Sequence, residues 1–458
     1  MTLLLSSLMA VAAVAAPVQA QAPAAGLTGT WEGPISVGGQ SIRIVFRIDG
    51  AGTAVMDSPD QGGFDIPAEA SAGENSLVRL TVPSIGGRFE GARSEDGRTL
   101  TGSLSQGGVT LPLILNRTSE TAARLVRPQT PVPPFPYRSE DVAFDNAEAP
   151  GVRLAGTLTL PQGNGPFPAA ILITGSGPQD RDETVFGHKP FAVWADALTR
   201  RGVAVLRYDD RGTAASTGDF ATATSADFAT DADAAFAFLA ARSDIDATRI
   251  GLIGHSEGGL IAPLVAQEGV PIAWIVMIAG PAVPGSEILS EQQRLLTSAM
   301  GMTPGAVEAG NKAQRTIMAL VAAHADDGDA VRREVTAWLV SQGMSAAQAG
   351  QSADQVSNPW VRWFVAHDPA SALAGFGGPL LALYGGKDLQ VPAQQNAPVL
   401  ERLKPEAEVV ILSGLNHLMQ PATKGLPSEY PEIETTLDPL ALTTVVDWVA
   451  AQSRVTTP

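Results

Sequence analysis

One stretch constrains the fold of this chain more than any other: Arg249-Ile250-Gly251-Leu252-Ile253-Gly254-His255-Ser256-Glu257-Gly258-Gly259. Ile250 to Ile253 is an apolar run that reads as a short buried strand. Leu260-Ile261-Ala262-Pro263-Leu264-Val265-Ala266 continues as a helix. Between them lies a sharp turn with a serine at its apex. A turn this tight strains the backbone of the serine. Side chains at the flanking positions would strike the neighbouring strand and helix, and Gly254 and Gly258 remove them. The strain holds the Ser256 hydroxyl above the sheet, with a helix N-terminus beneath any negative charge that develops there. In a chain with 47 glycines the pattern G-x-S-x-G also describes a glycine-rich turn with a capping serine. Partners elsewhere must decide.

The surroundings of this turn repeat its logic. Val142-Ala143-Phe144 and Val152 to Leu160 read as an opening hairpin, and Ala169 to Ile173 as a strand buried on both faces. A helix around Phe191 to Arg201, a strand from Gly202 to Tyr208 and a helix from Ser225 to Arg242 follow. Trp274 to Ala279, Pro379 to Tyr384 and Glu408 to Leu412 are further buried strands, and Leu440 to Ala451 is a terminal helix. Strands alternating with helices predict a mostly parallel, doubly wound sheet over residues 138–458. From about 284 to 372 the alternation stops. Helices over Ile288 to Met300, Ala306 to His324, Ala330 to Val340 and Pro359 to Ala366 predict a helical cap above the serine turn. There Trp360, Trp363 and Phe364 either wall a pocket or pack the cap onto the core.

The chain's 458 residues leave room for more than this unit. Residues 26–120 carry a period of two. Gly29 to Gly33, Ser41 to Ile48, Leu77 to Val82, Phe89 to Arg93, Thr99 to Leu104 and Val109 to Leu115 alternate, with turn residues between them. They predict a small antiparallel barrel or sandwich. Its opening Gly29-Thr30-Trp31-Glu32-Gly33 is similar to the first strand of a lipocalin-like barrel. The module either packs and solubilises or binds a ligand and presents it. Residues 127–137 hold five prolines between Arg127 and Pro136 and predict a semi-rigid linker. Residues 1–22 have an apolar centre and small residues at Ala20 and Ala22. They read as a signal peptide, making the protein periplasmic or secreted. The competing reading, an uncleaved anchor, is opposed by Pro17 and the alanine-rich composition.

A net charge of −17 argues against nucleic acid or an anionic membrane as partner. The absence of cysteine excludes disulfides, thiolate metal sites and a cysteine nucleophile. His and carboxylate residues do not cluster at ligand spacings, so no metal and no cofactor is expected.

The partners of Ser256 stand at other strand ends. Asp388 follows Tyr384-Gly385-Gly386-Lys387, and His417 follows Ser413-Gly414-Leu415-Asn416. Ligands bind at the C-terminal ends of strands in such sheets. A serine hydroxyl is a poor nucleophile until a base takes its proton. His417 is the candidate base, and Asp388 the group that orients it and stabilises its cation. The candidate oxyanion hole is formed by the backbone N–H of Glu257 and that of Ser176, with Gly177 as the fallback. Ser176 lies in Thr174-Gly175-Ser176-Gly177, after the Ala169 to Ile173 strand. The Glu257 carboxylate is expected to pair with Arg211. Asp209-Asp210-Arg211-Gly212 is expected to tie loops together. His255, His324 and His367 read as structural, and His188 borders the pocket or packs.

At this point the chain resembles a known group, the bacterial α/β-hydrolases described as EstD-type carboxylesterases, some of them filed with serine peptidases or acyl aminopeptidases. The resemblance rests on Gly175-Ser176-Gly177-Pro178-Gln179-Asp180-Arg181-Asp182, Tyr208-Asp209-Asp210-Arg211-Gly212, Gly254-His255-Ser256-Glu257-Gly258-Gly259 and Gly414-Leu415-Asn416-His417-Leu418-Met419-Gln420-Pro421-Ala422. It implies an α/β-hydrolase fold and hydrolysis of a small-molecule carboxylic ester through Ser256, Asp388 and His417. Thr213-Ala214-Ala215-Ser216 departs from the Gly and Lys common after Arg-Gly in that group. The rivals are a serine peptidase or amidase on the same residues, and a non-catalytic ligand-binding protein.

Overall fold

The computed structural model describes residues 26–453 apart from 38–39, 51, 60–62, 74–75, 107–108 and 119–126. The expected signal peptide lies outside the described residues. The chain divides into two compact units. Among the described residues, one takes in those up to Thr118 with Val185–Gly187 and Tyr430–Glu434, and the other holds the rest.

The first unit is a closed barrel rather than a sandwich. Strands β1 (Gly29–Val37), β2 (Gln40–Ile48), β3 (Thr53–Ser58), β4 (Gly63–Ala72), β5 (Leu77–Val82), β6 (Gly87–Arg93), β7 (Thr99–Gln106) and β8 (Val109–Thr118) each pair antiparallel with the next. Pairing of β1 with β8, Thr30 opposite Thr118, closes the ring. Alternate residues face inward, so Trp31, Phe46, Leu80, Phe89, Leu100 and Leu115 form one apolar cluster, each fully buried. The Trp31 indole N–H donates to the Leu27 carbonyl at 2.6 Å. Strands β3 and β4 are not apparent in the sequence pattern. Alanine and proline (Pro67, Ala68, Ala70, Ala72) give β4 little intrinsic strand preference, and pairing with β3 and β5 holds it extended.

The second unit is built on an eight-stranded sheet. Its strands are β9 (Arg138–Asp145), β10 (Arg153–Leu160), β11 (Phe167–Ile173), β12 (Ala204–Tyr208), β13 (Ile245–His255), β14 (Ile275–Ile278), β15 (Leu380–Gly385) and β16 (Glu408–Leu412). They lie in the order β16-β15-β14-β13-β11-β12-β10-β9. The hairpin β9–β10 and the β10–β12 pair are antiparallel, and the remaining pairs are parallel. The period of two explains why these runs are apolar throughout. Ala169, Ile171 and Ile173 of β11 join the cluster containing helices α2 (Ser225–Ala240), α3 (Glu257–Gln267) and α10 (Ala393–Leu403). Ala170 and Leu172 join the opposite cluster, with α1 (Pro190–Arg200) and α11 (Pro439–Gln452). Helices thus cover both faces.

Between β14 and β15 stand α4 (Gly285–Ala299), α5 (Pro304–Ala323), α6 (Gly328–Ser341), α7 (Ala346–Val356), α8 (Pro359–Ala366) and α9 (Ala370–Gly375). They enclose an apolar cluster of their own, including Val321, Val331, Val335, Ala349 and Val365. Two of the six, α7 and α9, were not expected. The proline-rich segment does not run free. The Gln129 side chain accepts from the Thr436 and Leu437 N–H groups at 2.7 and 2.9 Å and donates to the Leu437 carbonyl at 2.8 Å. Among the described residues no helix is long and apolar enough to cross a membrane.

Candidate active site

The turn between β13 and α3 has the geometry its glycines predict. Ser256 adopts φ 52° and ψ −116°, a positive φ that an L side chain rarely takes. Such a conformation costs about 1–3 kcal/mol and persists only where neighbours impose it. Here the Ser256 N–H donates to the Ile278 carbonyl at 2.8 Å, and the Gly259 N–H to the Ser256 carbonyl at 2.9 Å. A Cβ on Gly254 would lie 2.0 Å from the Gly258 carbonyl oxygen, and one on Gly258 would lie 2.1 Å from that of Ile173. The strand, the turn and the neighbouring β11 therefore meet backbone to backbone.

Asp388 follows β15 and is buried. One carboxylate oxygen accepts from the Gln390 and Val391 N–H groups at 2.7 and 2.9 Å. The other lies 2.8 Å from His417 Nδ1, in the loop after β16. The aspartate is fixed by backbone donors and in turn fixes one nitrogen of the imidazole, while Nε2 makes no hydrogen bond among the described residues. The His417 carbonyl is bound by Nε2 of His255 at 3.0 Å, and the two imidazole rings stand 4.8 Å apart. His417 is thus docked on the residue directly before Ser256. No hydrogen bond joins the Ser256 hydroxyl to His417 among the described residues; apo geometry of such groups often tightens only around a substrate.

The loop after β11 crosses the same turn. A Cβ on Gly175 would lie 3.3 Å from Ser256 Cβ. No backbone hydrogen bond takes up the Ser176 N–H among the described residues. The Glu257 N–H opens α3, where no intrahelical carbonyl can reach it. Acidic residues after β12 hold this loop in shape. Asp210 accepts from the Thr174 hydroxyl at 2.7 Å and the Gln179 N–H at 2.9 Å, and Asp209 takes the Arg181 guanidinium at 2.7 Å. Burial, reinforced by the nearby Glu257 and Glu183 charges, pushes the Asp210 carboxyl well above the usual range against the pull of its two hydrogen bonds.

Two side chains depart from expectation. Arg211 pairs with Asp231, at 2.7 and 2.9 Å, and not with Glu257. The Glu257 carboxylate instead accepts from the Ser225 hydroxyl at 2.6 Å and the Trp360 indole N–H at 2.7 Å. Burial raises its pKa to about 6, opposed by those two donors. Trp360 belongs to α8 and stacks on the buried Phe364, with centroids 5.0 Å apart, while Trp363 stacks on His367 at 4.3 Å. These aromatics therefore help fasten the cap. His188 is fully buried with Nδ1 2.9 Å from the Thr436 hydroxyl, which makes it a packing residue.

His255, which reads as structural in the sequence, and Glu183, which the sequence does not single out, sit together at the junction of these loops. Glu183 Oε1 lies 2.8 Å from His255 Nδ1 and accepts from the Gly175 N–H, also at 2.8 Å. Among the described residues no group of His and carboxylate side chains could hold a metal ion.

A strand-borne serine turn, an Asp–His pair at the next strand ends and a helical cap define a class, and comparison places the chain within it. It belongs to the X-Pro dipeptidyl-peptidase (S15) family, the match covering residues 150–419. It is 28% identical over 302 residues to esterase EstD of Thermotoga maritima, which spans 65% of this chain and 64% of that protein. It therefore matches just under two thirds of that relative's length. Among solved structures, an esterase of Pyrococcus furiosus is similar at 18% identity, with a TM-score of 0.40 over 63% of this chain and 89% of the other. The dienelactone hydrolase of Anabaena variabilis is similar at 17% identity, with a TM-score of 0.39 over 69% and 97%.

Proposed function

We propose that this protein is a serine hydrolase of small carboxylic esters. The observation that carries the reading is the 2.8 Å contact between Asp388 and His417 Nδ1, with the His417 loop docked on the strained Ser256 turn. In this reading His417 Nε2 takes the Ser256 proton as the hydroxyl attacks the ester carbonyl. The negative charge that forms on the carbonyl oxygen is met by the Ser176 and Glu257 N–H groups and the N-terminus of α3. His417 returns the proton to the departing alkoxide, leaving an acyl group on Ser256. Water, deprotonated by His417, then releases the acid. Asp388 holds the imidazole in place and stabilises the imidazolium. No metal or cofactor enters these steps.

EstD, 28% identical to this chain over 302 residues, is named an esterase, which favours the ester reading. The S15 family description favours a second reading, cleavage of a peptide or amide by the same residues. Rates on p-nitrophenyl esters and on aminoacyl p-nitroanilides separate the two: faster ester turnover is expected, and faster anilide turnover would replace the esterase reading. Residues 1–22 further suggest export to the periplasm or medium, which N-terminal sequencing of the mature protein tests.

A further inference from the structure

We infer that Glu183 and His255 form a second carboxylate–imidazole pair whose task is to position the oxyanion loop and the catalytic histidine on the serine turn, with His255 protonated on both ring nitrogens.

The argument begins with donors and acceptors. His255 Nε2 faces the His417 carbonyl oxygen at 3.0 Å, a group that can only accept, so Nε2 carries a hydrogen. His255 Nδ1 faces Glu183 Oε1 at 2.8 Å, and that same oxygen accepts from the Gly175 N–H at 2.8 Å. A carboxylate satisfies both donors at once, and the imidazole then donates at both ends. Burial opposes the charge on His255, but the Glu183 carboxylate outweighs it and raises the histidine's pKa. The groups facing the ring are Glu183 from the loop after β11, and His417 and Asp388 from the loops after β16 and β15. Asp210, after β12, faces Glu183 in turn.

Three loops converge on this pair. Glu183 holds Gly175, whose neighbour Ser176 is the proposed oxyanion donor. His255 precedes Ser256 and holds the main chain of His417. Glu183 takes a positive φ of 52°, a strained conformation for a glutamate, so the surrounding structure forces it into place. The pair is buried, Glu183 at 4% and His255 at 7% exposure. Neither reaches the reacting atoms in the proposed mechanism, so both are positioning residues. The inference rests on the serine-hydrolase reading only for its catalytic consequence; the protonation state stands apart from it.

Glu183→Gln exposes the role because an amide cannot do what the carboxylate does. If its carbonyl keeps the Gly175 N–H, it presents no donor to a neutral Nδ1. If its NH₂ turns to Nδ1, Gly175 loses its acceptor. In the full-length protein, E183Q is expected to lose about 10²-fold in kcat on p-nitrophenyl acetate with KM changed by less than about threefold, the signature of misplaced rather than missing groups. Nitrogen-resolved imidazole NMR of the wild type should show one histidine that stays protonated at both nitrogens above the pH at which an ordinary imidazole loses its proton. The chain has five histidines, so loss of that signal in H255N assigns it. E183Q with wild-type kcat, or a wild-type His255 with one bare nitrogen, overturns the proposal. If E183Q does not fold, the wild-type spectrum decides alone. Failure of the hydrolase reading would appear separately, as turnover retained in S256A, and would leave the spectrum of His255 unchanged.

Discussion

Replacing Glu257 by glutamine should stabilise the protein, and by an amount that depends on pH. The side chain is 3% exposed and accepts from Ser225 and Trp360 through one oxygen. A glutamine carbonyl can accept both bonds. Glu257 lines a small cavity together with Asp210 and Asp231. What the substitution removes is the burial of a charge. Burial raises the Glu257 pKa from 4.5 to about 6. At roughly 1.4 kcal/mol per unit, ionised Glu257 costs the fold about 2 kcal/mol. The sign follows from proton binding. Between pH 4.5 and about 6 the native state holds more protons than the unfolded chain, so wild-type stability falls as pH rises through that window and levels off above it. Glutamine does not titrate. Urea unfolding of wild type and E257Q should therefore give a stability difference about 1.5–2 kcal/mol larger in favour of the variant at pH 8 than at pH 4.5. A difference that stays constant or shrinks with rising pH would refute the assignment of a buried, charge-penalised carboxylate. The backbone N–H of residue 257 is untouched, so kcat should remain within about threefold.

Three further outcomes are expected. Asp388→Asn keeps the shape of the site but offers His417 the wrong tautomer, and kcat on p-nitrophenyl acetate should fall about 10⁴-fold with little loss of thermal stability. Arg211→Ala leaves Asp231, 2% exposed, without its bidentate partner; urea unfolding should show a loss of about 3–5 kcal/mol. Gly258→Ala drives a methyl to within 2.1 Å of the Ile173 carbonyl, and the protein should either fail to accumulate as a soluble chain or melt well below the wild type, as read by circular dichroism.

How much of this was legible in the sequence follows from what each signal depends on. The central strands β11 to β15 announce themselves because residues buried on both faces must all be apolar. The turn at Ser256 shows because only glycine fits where backbones touch, at Gly254 and Gly258. Asp388 and His417 could be found because each follows an unmistakable strand end. Helix α7 was missed although Ser345 and Gln348 form a capping signal there, the Gln348 N–H bonding the Ser345 hydroxyl at 3.4 Å. Its Ala- and Gln-rich body carries little apolar periodicity. The Glu257–Arg211 pairing was wrong because opposite charges in nearby motifs do not reveal direction: Arg211 turns to α2, and Glu257 to the cap. Glu183 sits in a run of charges, Asp180 to Glu183, that reads as a solvated loop. Only the folded chain buries it against His255, so no local pattern could have shown its role.

Ser256 acts as the nucleophile in the proposed hydrolysis. The direct measurement is intact-mass and peptide-mapping mass spectrometry after brief reaction with a fluorophosphonate, run beside turnover of p-nitrophenyl acetate. The expected result is a single adduct on the peptide containing Ser256, complete loss of hydrolysis with labelling, and neither label nor turnover in S256A. An adduct on another residue, or hydrolysis that survives in S256A, would contradict it.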